Sequence, residues 1–545
     1  MKFKRSMVLV SNDPQSVRLG ANAVFSQFQK ELAAFELTDE VALSQFSESE
    51  RSDALPMVII YPEASAYGPV KESDVHRIVE EHLYKGRIVQ DLLAPVKELS
   101  GQVRWLEGRK GTLPMEHRII TRRVGRIDPE NIEEYIAEDG YQALAKALSM
   151  TPMQVIEELE ASGLQGRGGA GFPAGRKWRF VAGAEGAKKY VVCNADESEP
   201  GTFKDRVIME GDPHSIIEAM TIAAYAIGAE EGYIYVRGEY KLVQNRLLRA
   251  IEQAKEFGLL GQNIMETGFN FTLHVHSGAG AYVCGEETAL LESIEGKRGE
   301  PRARPPYPTT HGLWGKPTLV NNVETLANVP PILLNGAQWY RSFGAPSSPG
   351  TKCYTIMGNV NFRGLIEVPM GITLREVIAI YGQGMKDGAT FKLAQTGGSS
   401  GSIIPASLQD TPMDFESFKK AGVSLGSGAL LICDERTCVV DLVYTLSKFF
   451  QFESCGKCTP CRLGTQHLHE TIGRMTRAEA SPEELQQIEE MVTEMERVSN
   501  CGLGQTAGTP FRNMMKHFRE EVDAHVIEKI CPAGVCSMIP EPVLE

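Results

Sequence analysis

A glycine-rich stretch over residues 163–178 constrains the fold of this chain more than any other part of the sequence. Only glycine adopts positive φ angles freely and lets a ligand lie against bare backbone, and successive peptide N–H groups can converge on an anion. Arg167 and Lys177 add positive charge, whereas Phe172 and Trp178 are unusual in a flexible linker. The stretch predicts a loop that holds the phosphate of a flat cofactor, without specifying which cofactor. Its six glycines are Gly163, Gly166, Gly168, Gly169, Gly171 and Gly175.

The length and charge of the chain exclude several classes of protein. At 545 residues the chain is too long for one hydrophobic core, so we expect about three to four domains. A formal net charge of −14 argues against nucleic-acid binding, and no apolar run approaches the roughly 20 residues of a membrane-spanning helix. We expect a cytoplasmic protein that is peripheral to a membrane at most, through partner subunits.

The order of strand and helix patterns predicts an α/β multidomain protein. Residues 1–110 follow a β-α-β-β-β-α order that is compatible with a thioredoxin-like domain, and they contain no cysteine to ligate a cluster. We therefore expect this domain to serve in scaffolding or docking. The other predicted units are a connector with an α/β domain (111–345), a β-grasp domain (346–435), a helical domain (436–530) and a tail (531–545). Apolar periodicity predicts helices over residues 16–35, 133–147, 151–161, 482–498 and 510–529.

Polar and proline-rich segments of the predicted α/β domain are candidates for the rest of a ligand site. Residues 194–206 follow a strand and carry four carboxylates, which fits the ligand-binding edge of an open sheet or an acidic solvated loop. Glu286 and Glu287 lie at a second glycine-rich turn, where they could complement a helix dipole or accept hydrogen bonds from sugar hydroxyls. Residues 299–318 combine prolines with cationic and aromatic side chains. This composition suits a wall on which a ligand ring could stack, or an ordinary proline-rich crossover connection.

The cysteines are concentrated near the C-terminus. Cys455, Cys458 and Cys461 form a C-x₂-C-x₂-C run, and Cys501 follows 40 positions later. Three ligands at this spacing can surround one side of a cubane that a distant fourth completes. We predict one [4Fe–4S] cluster, because the alternative, a Cys₄ zinc site, usually has two separated pairs of cysteines.

A second candidate metal site lies in the tail. His525, Cys531 and Cys536 are suitable zinc ligands, but they supply only three. Reduced free thiols are the alternative. The isolated cysteines are interpreted as packing residues, and they are Cys193, Cys284, Cys353 and Cys433.

The glycine-rich stretch, segment 194–206, the turn that contains Glu286 and the four-cysteine set occur together and in order. In this combination the chain resembles the NADH-binding FMN flavoprotein subunit of respiratory complex I. It also resembles the related diaphorase subunits of NAD-linked hydrogenases, formate dehydrogenases and electron-bifurcating enzymes. The resemblance covers about residues 120–530. It implies a Rossmann-like FMN/NADH domain, a β-grasp (SLBB-like) insert and a helical [4Fe–4S] domain.

The resemblance implies roles for the matching positions, and it implies no catalytic side chain because hydride passes from NADH to FMN. The implied FMN residues are Arg167, Gly168, Gly169, Lys177, Asn194, Asp196, Glu197, Tyr282, Gly285, Glu286, Asn321 and Asn322. The implied NADH residues are Phe172, Phe180, Glu199, Glu287, Arg304 and Tyr307. The implied cluster ligands are Cys455, Cys458, Cys461 and Cys501, and a zinc-type site would keep His525, Cys531 and Cys536.

The implied function is NADH oxidation or NAD⁺ reduction, with electrons passing singly from FMN to the [4Fe–4S] cluster and on to partner subunits. The implied partners are a small [2Fe–2S] thioredoxin-like subunit and a larger iron–sulfur subunit. The larger subunit would lead to a hydrogenase, formate dehydrogenase, ferredoxin or quinone module. The chain departs from the family at Gln165, usually arginine, and at Phe203, commonly cysteine in respiratory members. The alternative is a flavin-free docking or electron-relay subunit.

Overall fold

The computed structural model describes residues 5–46, 54–61, 65–94, 117–186 and 188–538. The first unit contains β1 (Ser6–Ser11), α1 (Pro14–Arg18), α2 (Ala21–Ala34), β2 (Val41–Phe46), β3 (Val58–Tyr61), β4 (Ser65–Tyr67) and α3 (Glu72–Ile78). The strands form a sheet in the order β2-β1-β3-β4, with only β1 and β2 parallel. Val8 and Val10 alternate into the core against Phe28 of α2. The element order agrees with the predicted pattern, but the helix predicted over 16–35 is divided at Gly20, whose φ is 104°.

The second unit is built on a parallel sheet. Its elements are α4 (Ile132–Ala137), α5 (Gln142–Ser149), α6 (Pro152–Ser162), α7 (Ala174–Gly183), β5 (Tyr190–Ala195), α8 (Lys204–Gly211), α9 (Pro213–Ile227), β6 (Glu231–Val236), α10 (Lys241–Glu256), β7 (Thr272–Ser277), α11 (Glu287–Ile294), α12 (Pro308–His311), β8 (Thr318–Asn322), α13 (Val323–Ala327), α14 (Val329–Asn335) and α15 (Ala337–Arg341). The strand order is β7-β6-β5-β8 and every pair is parallel. Helix α9 is buried at every residue except Tyr225, as expected for a helix that is apolar on all sides.

The helix predicted over residues 133–147 is two helices, α4 and α5. The cause is Glu218 of α9, which is fully buried and accepts hydrogen bonds from the Tyr135 hydroxyl (2.5 Å) and from the N–H groups of Tyr141 (3.0 Å) and Leu144 (3.0 Å). Tyr141 has a φ of 62°, a conformation outside the right-handed helix. A long-range contact thus overrides local periodicity. The predicted helix over 151–161 is confirmed as α6, which Thr151 caps.

The third unit is a mixed sheet inserted after α15. Its elements are β9 (Gly344–Ala345), β10 (Ser348–Pro349), β11 (Thr351–Gly358), β12 (Gly364–Pro369), α16 (Leu374–Glu376), β13 (Phe391–Thr396), β14 (Ile403–Pro405), α17 (Phe415–Ala421) and β15 (Ala429–Asp434). The main sheet has the order β12-β11-β15-β13-β14, and only β11 and β15 are parallel. We call this unit the insert. It has its own apolar core.

The C-terminal unit is helical. It contains α18 (Val439–Glu453), α19 (Thr459–Thr476), α20 (Pro482–Val498), α21 (Gly502–Thr506), α22 (Thr509–His517) and α23 (Arg519–Asp523). The predicted helix over 482–498 is confirmed. The helix predicted over 510–529 is wrong as one element, because Phe518, with φ −133° and ψ 36°, separates α22 from α23 and a π-helical turn at Ala524–Glu528 follows.

Short helical turns complete the described chain. They are Val79–Tyr84, Gln90–Leu92, Ile264–Glu266, Tyr282–Gly285, Leu313–Gly315, Val377–Tyr381, Lys386–Gly388 and Ala406–Leu408. The predicted boundary at residue 110 and the last seven residues of the predicted tail, 539–545, lie outside the described residues. Within the described ranges, no helix combines the length and the apolar character that a bilayer span requires.

Candidate cofactor and metal sites

The glycine-rich stretch is a hydrogen-bonded loop between α6 and α7, and not a flexible linker. The N–H of Gly166 donates to the carbonyl of Phe172 (2.8 Å), which joins the two sides of the loop. Gly171 has a φ of 66°, and a Cβ there would lie 2.7 Å from the Phe415 ring of the insert. The loop therefore requires glycine both for its backbone conformation and for its contact with the insert.

The loop faces the carboxyl ends of β5 and β8, where Asn194 is paired with Asn322. A Cβ on Gly168 would lie 3.1 Å from the Cβ of Asn322, so glycine allows the loop to approach this strand end. A cavity of about 630 Å³ lies here, which is within the usual range for small-molecule sites. The predicted residues on its wall are Gly168, Phe172, Lys177, Phe180, Asn194, Gly285, Glu286, Glu287, Arg304, Tyr307, Asn321 and Asn322.

The other predicted FMN and NADH residues lie outside this wall, and they are Arg167, Gly169, Asp196, Glu197, Glu199 and Tyr282. The guanidinium of Arg167 is fully buried and donates to the carbonyls of Pro349 (2.7 Å) and Thr351 (3.1 Å) and to the hydroxyl of Tyr340 (3.1 Å). Its side chain thus fastens the loop to the insert and is not available to a ligand in the cavity. A Cβ on Gly169 would lie 3.4 Å from the carbonyl carbon of Gly426 in the insert.

Glu197 supports the start of α8 from inside the protein. Its carboxylate accepts hydrogen bonds from the N–H groups of Asp205 (2.8 Å) and Arg206 (2.9 Å). Burial raises the pKa of Glu197 to about 7, because a carboxylate loses solvation there. This residue shapes the segment 194–206 without reaching the cavity wall.

Glu199 and Tyr282 join three units of the protein. Glu199 accepts hydrogen bonds from the Tyr282 hydroxyl (2.6 Å) and from the N–H of Ser400 in the insert (2.9 Å). The Tyr282 N–H donates to Glu453 at the end of α18 (3.0 Å), and its ring centroid lies 4.9 Å from that of Phe449. Burial raises the pKa of both Glu199 and Tyr282. Tyr282 thus connects the cavity region with the helix that leads to the cluster cysteines.

The charged side chains at the cavity form a mixed-sign group. Lys177 Nζ lies 3.2 Å from Glu287 Oε2 and donates to the carbonyl of Val320 (3.1 Å). Arg304 Nη1 lies 3.4 Å from Glu287 Oε1 and 3.5 Å from Glu286 Oε1. Partly exposed pairs of this kind contribute little free energy. Lys177 can therefore exchange its carboxylate partner for a phosphate at little cost.

An unpaired buried oxygen beside the cavity indicates a missing ligand donor. Asp196 Oδ1 accepts a hydrogen bond from the Ser198 hydroxyl (2.6 Å), whereas Asp196 Oδ2 is buried and has no hydrogen-bond partner among the described residues. A Cβ on the cavity residue Gly285 would lie 3.8 Å from this oxygen. Burial raises the pKa of Asp196 to about 7. A flavin, whose ring carries an N–H donor, fits this arrangement.

Several residues on the cavity wall were not predicted. Thr325 accepts a hydrogen bond from the N–H of Arg167 (2.8 Å), and Gly502 follows the predicted cluster ligand Cys501 directly. For Gly502 the available signal was its position next to a cysteine. The other unpredicted wall residues are Gly166, Ala170, Gly171, Ala174, Pro308, Thr309, Thr318 and Val320, of which Gly166, Ala170, Gly171 and Ala174 belong to the predicted loop stretch.

All four predicted cluster cysteines line one smaller cavity, and they are Cys455, Cys458, Cys461 and Cys501. Cys458 is the N-cap residue of α19 and Cys501 that of α21. Burial raises the pKa of Cys461 to about 12 and also raises that of Cys501. These thiols would hold iron as thiolates, because a thiol that coordinates a metal is deprotonated. Four sulfur donors around one cavity fit a [4Fe–4S] cluster.

The two cavities share their walls. The helical turn Tyr282–Gly285 contributes Gly285 to the larger cavity and Val283 to the cluster cavity. Likewise, Gly502 lines the larger cavity while Cys501 lines the smaller one. The two cavities are therefore next to each other. Electron transfer between a cofactor in the larger cavity and a cluster in the smaller one would require this arrangement.

A second group of metal-type ligands includes one residue that the sequence did not reveal. Cys438 joins the predicted His525, Cys531 and Cys536, and the four ligand atoms lie within 4.8 Å of one another. Cys438 Sγ lies 3.6 Å from Cys536 Sγ and 3.4 Å from His525 Nε2. Tetrahedral zinc with Zn–S bonds of about 2.3 Å separates sulfurs by about 3.8 Å. His525 Nδ1 lies 2.7 Å from the Glu521 carbonyl, which orients Nε2 towards the sulfurs.

Comparisons with known proteins agree with this architecture. Residues 159–331 match the model described as the Nuo51 FMN-binding domain, and residues 441–525 match the NADH-ubiquinone oxidoreductase-F iron-sulfur binding region. The NADP-reducing hydrogenase subunit HndC of Solidesulfovibrio fructosivorans is 49% identical over 77% of this chain and 86% of its own length. The NADH-quinone oxidoreductase F 2 subunit of Rhizobium meliloti is 47% identical over 76% of this chain and 99% of its own length.

Solved structures give the same result for the fold. A chain of the NAD⁺-reducing [NiFe]-hydrogenase in the H₂-reduced state matches with a TM-score of 0.67 and 32% identity, covering 96% of this chain and 84% of that chain. The match supports a mixed α/β protein with a helical C-terminal region. The chain belongs to the family of FMN- and iron–sulfur-containing F subunits of NADH-quinone oxidoreductases and their hydrogenase relatives.

Proposed function

We propose that the chain is an NADH-oxidising, or NAD⁺-reducing, FMN diaphorase subunit of a multi-subunit redox complex. The observation that carries this function is the pair of adjoining cavities, one lined by the glycine-rich loop and the other by four cysteines. Bound FMN accepts a hydride and releases electrons singly, which is chemistry that the cofactor supplies. The chain provides binding, orientation and a short path to the cluster.

The residues of the larger cavity have separate binding roles in this proposal. Gly168 and Lys177 hold the flavin and its phosphate, while Asn194, Gly285, Glu286, Asn321 and Asn322 surround the flavin. Phe172 and Phe180 are 42% and 46% exposed, so their rings are available to stack on NADH. Glu287, Arg304 and Tyr307 form the remaining wall for the nucleotide. Arg167, Gly169, Asp196, Glu197, Glu199 and Tyr282 support this set from positions outside the wall.

Hydride transfer needs no general base in this proposal, so the side chains act by positioning. Cys455, Cys458, Cys461 and Cys501 hold the [4Fe–4S] cluster. The proposal divides the chain into a thioredoxin-like domain (1–110), a connector with a Rossmann-like FMN/NADH domain (111–345), a β-grasp insert (346–435), a helical cluster domain (436–530) and a tail (531–545). The proposed partners are a small [2Fe–2S] thioredoxin-like subunit and a larger iron–sulfur subunit, with the complex located in the cytoplasm.

The test measures the cofactor content of the protein first and its NADH-oxidising activity second. Anaerobically purified protein should contain FMN and about four iron atoms per chain, and NADH should drive reduction of an artificial dye. Cys458→Ser should lose iron but keep FMN and dye reduction, since the dye can take electrons from the flavin. A wild-type protein that contains iron but binds no FMN would instead support the flavin-free relay alternative.

We also propose that Cys438, His525, Cys531 and Cys536 hold one structural zinc ion. The support is the convergence of four ligand atoms and the hydrogen bond that orients His525. Cys536→Ser should remove zinc and leave the iron content unchanged in elemental analysis. The matched control is Cys433→Ser, a nearby buried cysteine outside the ligand group. Zinc absent from the wild type, or retained in full by Cys536→Ser, would contradict the assignment.

A further inference from the structure

Lys352 is a fully buried lysine that the proposed function does not use. It lies on β11 of the insert, and its Nζ donates to the carbonyls of Arg167 (3.2 Å) and Ser427 (3.1 Å). The Arg167 carbonyl belongs to the glycine-rich loop, so the insert reaches the backbone of the proposed FMN site through this ammonium group. A buried charge is costly unless it is paired, which indicates that this contact has a specific role.

The partner of Lys352 is a compact group of buried charges. Glu324 Oε2 lies 3.7 Å from Lys352 Nζ and 2.9 Å from Lys204 Nζ. Lys204 also contacts Asp205 (2.7 Å), and Asp205 accepts a hydrogen bond from the side chain of Asn322 on the cavity wall (2.6 Å). Two ammonium groups and two carboxylates thus lie in contact, with Arg167 and Glu197 as further charges nearby. The group extends from the insert to the strand end that faces the cavity.

The orientation of one peptide group connects Lys352 with the cavity. In a planar trans peptide, the C=O and the following N–H point in opposite directions. Lys352 holds the carbonyl of Arg167, so the N–H of Gly168 points away from the lysine. Gly168 is exposed on the cavity wall, and no acceptor within the described residues takes its N–H.

We propose that Lys352 is a positioning residue for FMN, which fixes the Arg167–Gly168 peptide so that the Gly168 N–H is presented to the cofactor. The inference rests on the proposed FMN site. Lys352 also places one positive charge beneath a site for an anionic cofactor. Its removal takes that charge away, and weaker FMN binding follows from both effects.

The protonation state of Lys352 makes the inference measurable. Burial lowers the pKa of Lys352 to about 8, although Glu324 opposes this shift. A lowered lysine pKa means that the charged form is lost as pH rises through about 8, so FMN affinity should fall in that range. The phosphate of the cofactor titrates near pH 6, outside this window. The charged and titratable groups that face Lys352 are Glu324, Lys204, Arg167, Cys353 and Tyr354.

The experiment measures release of fluorescent FMN when purified holoprotein is diluted, from pH 7 to pH 9. Lys352→Met should raise the FMN dissociation constant roughly ten- to hundredfold at pH 7, as expected for loss of a charged hydrogen bond, and should remove the pH step. Folding is expected to survive, because Glu324 keeps Lys204 and the N–H of Cys353 (2.8 Å) as partners. The control is Lys392→Met, which removes a lysine of the insert that donates to the Thr437 carbonyl (2.6 Å).

An FMN dissociation constant of Lys352→Met within about twofold of wild type would overturn the inference. If that variant does not fold, the wild-type pH series decides. Because Asp196 beside the cavity also has a pKa of about 7, the series is repeated with Asp196→Asn. A rise of the dissociation constant through about pH 8 that this variant retains supports the role of Lys352, and a constant wild-type value, or a rise that the variant loses, overturns it. A wild-type chain that binds no FMN at any pH would overturn the proposed function itself.

Discussion

Glu367 on β12 holds the connector against the insert, and its replacement by glutamine tests this contact quantitatively. Its two carboxylate oxygens accept hydrogen bonds from the N–H groups of Ile119 (3.0 Å), Ile120 (3.1 Å) and Thr121 (3.0 Å). They also accept from the hydroxyls of Thr121 (2.7 Å) and Thr351 (2.6 Å). Glu367 is 1% exposed, so water cannot replace these bonds.

The expected cost of Glu367→Gln follows from the number of donors. Glutamine keeps one acceptor oxygen and places an NH₂ group where the other oxygen was. If the remaining oxygen serves Ile119 and Ile120, the N–H of Thr121 faces another donor. One unpaired buried donor costs about 1–3 kcal/mol, and weaker bonds to a neutral acceptor add about 1 kcal/mol. The sum is about 3 kcal/mol, which corresponds to roughly a hundredfold increase in local opening.

Hydrogen–deuterium exchange measured by mass spectrometry is the suitable assay, because it reads this segment alone. Amides in peptides that cover residues 117–124 should exchange roughly a hundredfold faster in Glu367→Gln. Peptides from β5 should be unchanged. Glu416→Gln is the control, since Glu416 lies in the same insert and forms an exposed pair with Lys420. Exchange within about twofold of wild type in residues 117–124 would show that Glu367 does not hold this segment.

Two further predictions concern residues that support the larger cavity from outside its wall. Asp196 has a folded-state pKa raised to about 7 by burial, so the folded chain holds a proton there that the unfolded chain has lost above about pH 4. Ligand-free protein should therefore lose stability as pH rises from about 4 to about 7. In thermal unfolding, the melting temperature of Asp196→Asn should fall less steeply over this pH range than that of the wild type. An equally steep fall in both proteins would contradict the role of Asp196. Tyr282→Phe removes the hydrogen bond to Glu199 but keeps the ring against Phe449. It should cost about 1–2 kcal/mol and raise the KM for NADH severalfold, whereas wild-type stability and KM would show that the bond is dispensable.

The parts of the site that the sequence predicted well are those with short-range patterns. The glycine-rich stretch specifies its own loop, because positive φ angles and close backbone contacts require glycine locally. The run of Cys455, Cys458 and Cys461 likewise places three ligands within one loop and the start of one helix. Parallel strands with continuous burial, such as β5, are recognisable from their apolar composition.

The parts that the sequence did not reveal depend on contacts between distant residues. Cys438 lies 87 positions before His525, and no local spacing connects it with the other zinc-type ligands. Arg167 stands in the loop, but its guanidinium is taken up by acceptors of the insert and by Tyr340. Glu218 breaks a segment that local periodicity describes as one helix. All three differences from the sequence prediction come from buried polar groups. The partners of these groups are set by the tertiary fold, which local sequence patterns do not show.

Electron flow from NADH through FMN to a [4Fe–4S] cluster within one chain can be measured by anaerobic titration of the purified protein with NADH. Flavin absorbance and the electron paramagnetic resonance signal of the reduced cluster are followed in the same sample. We expect the flavin absorbance to bleach and the cluster signal to appear together, and we expect Cys458→Ser to lose the cluster signal while bleaching persists. If the protein contains FMN and iron but NADH changes neither signal, the proposed function is wrong.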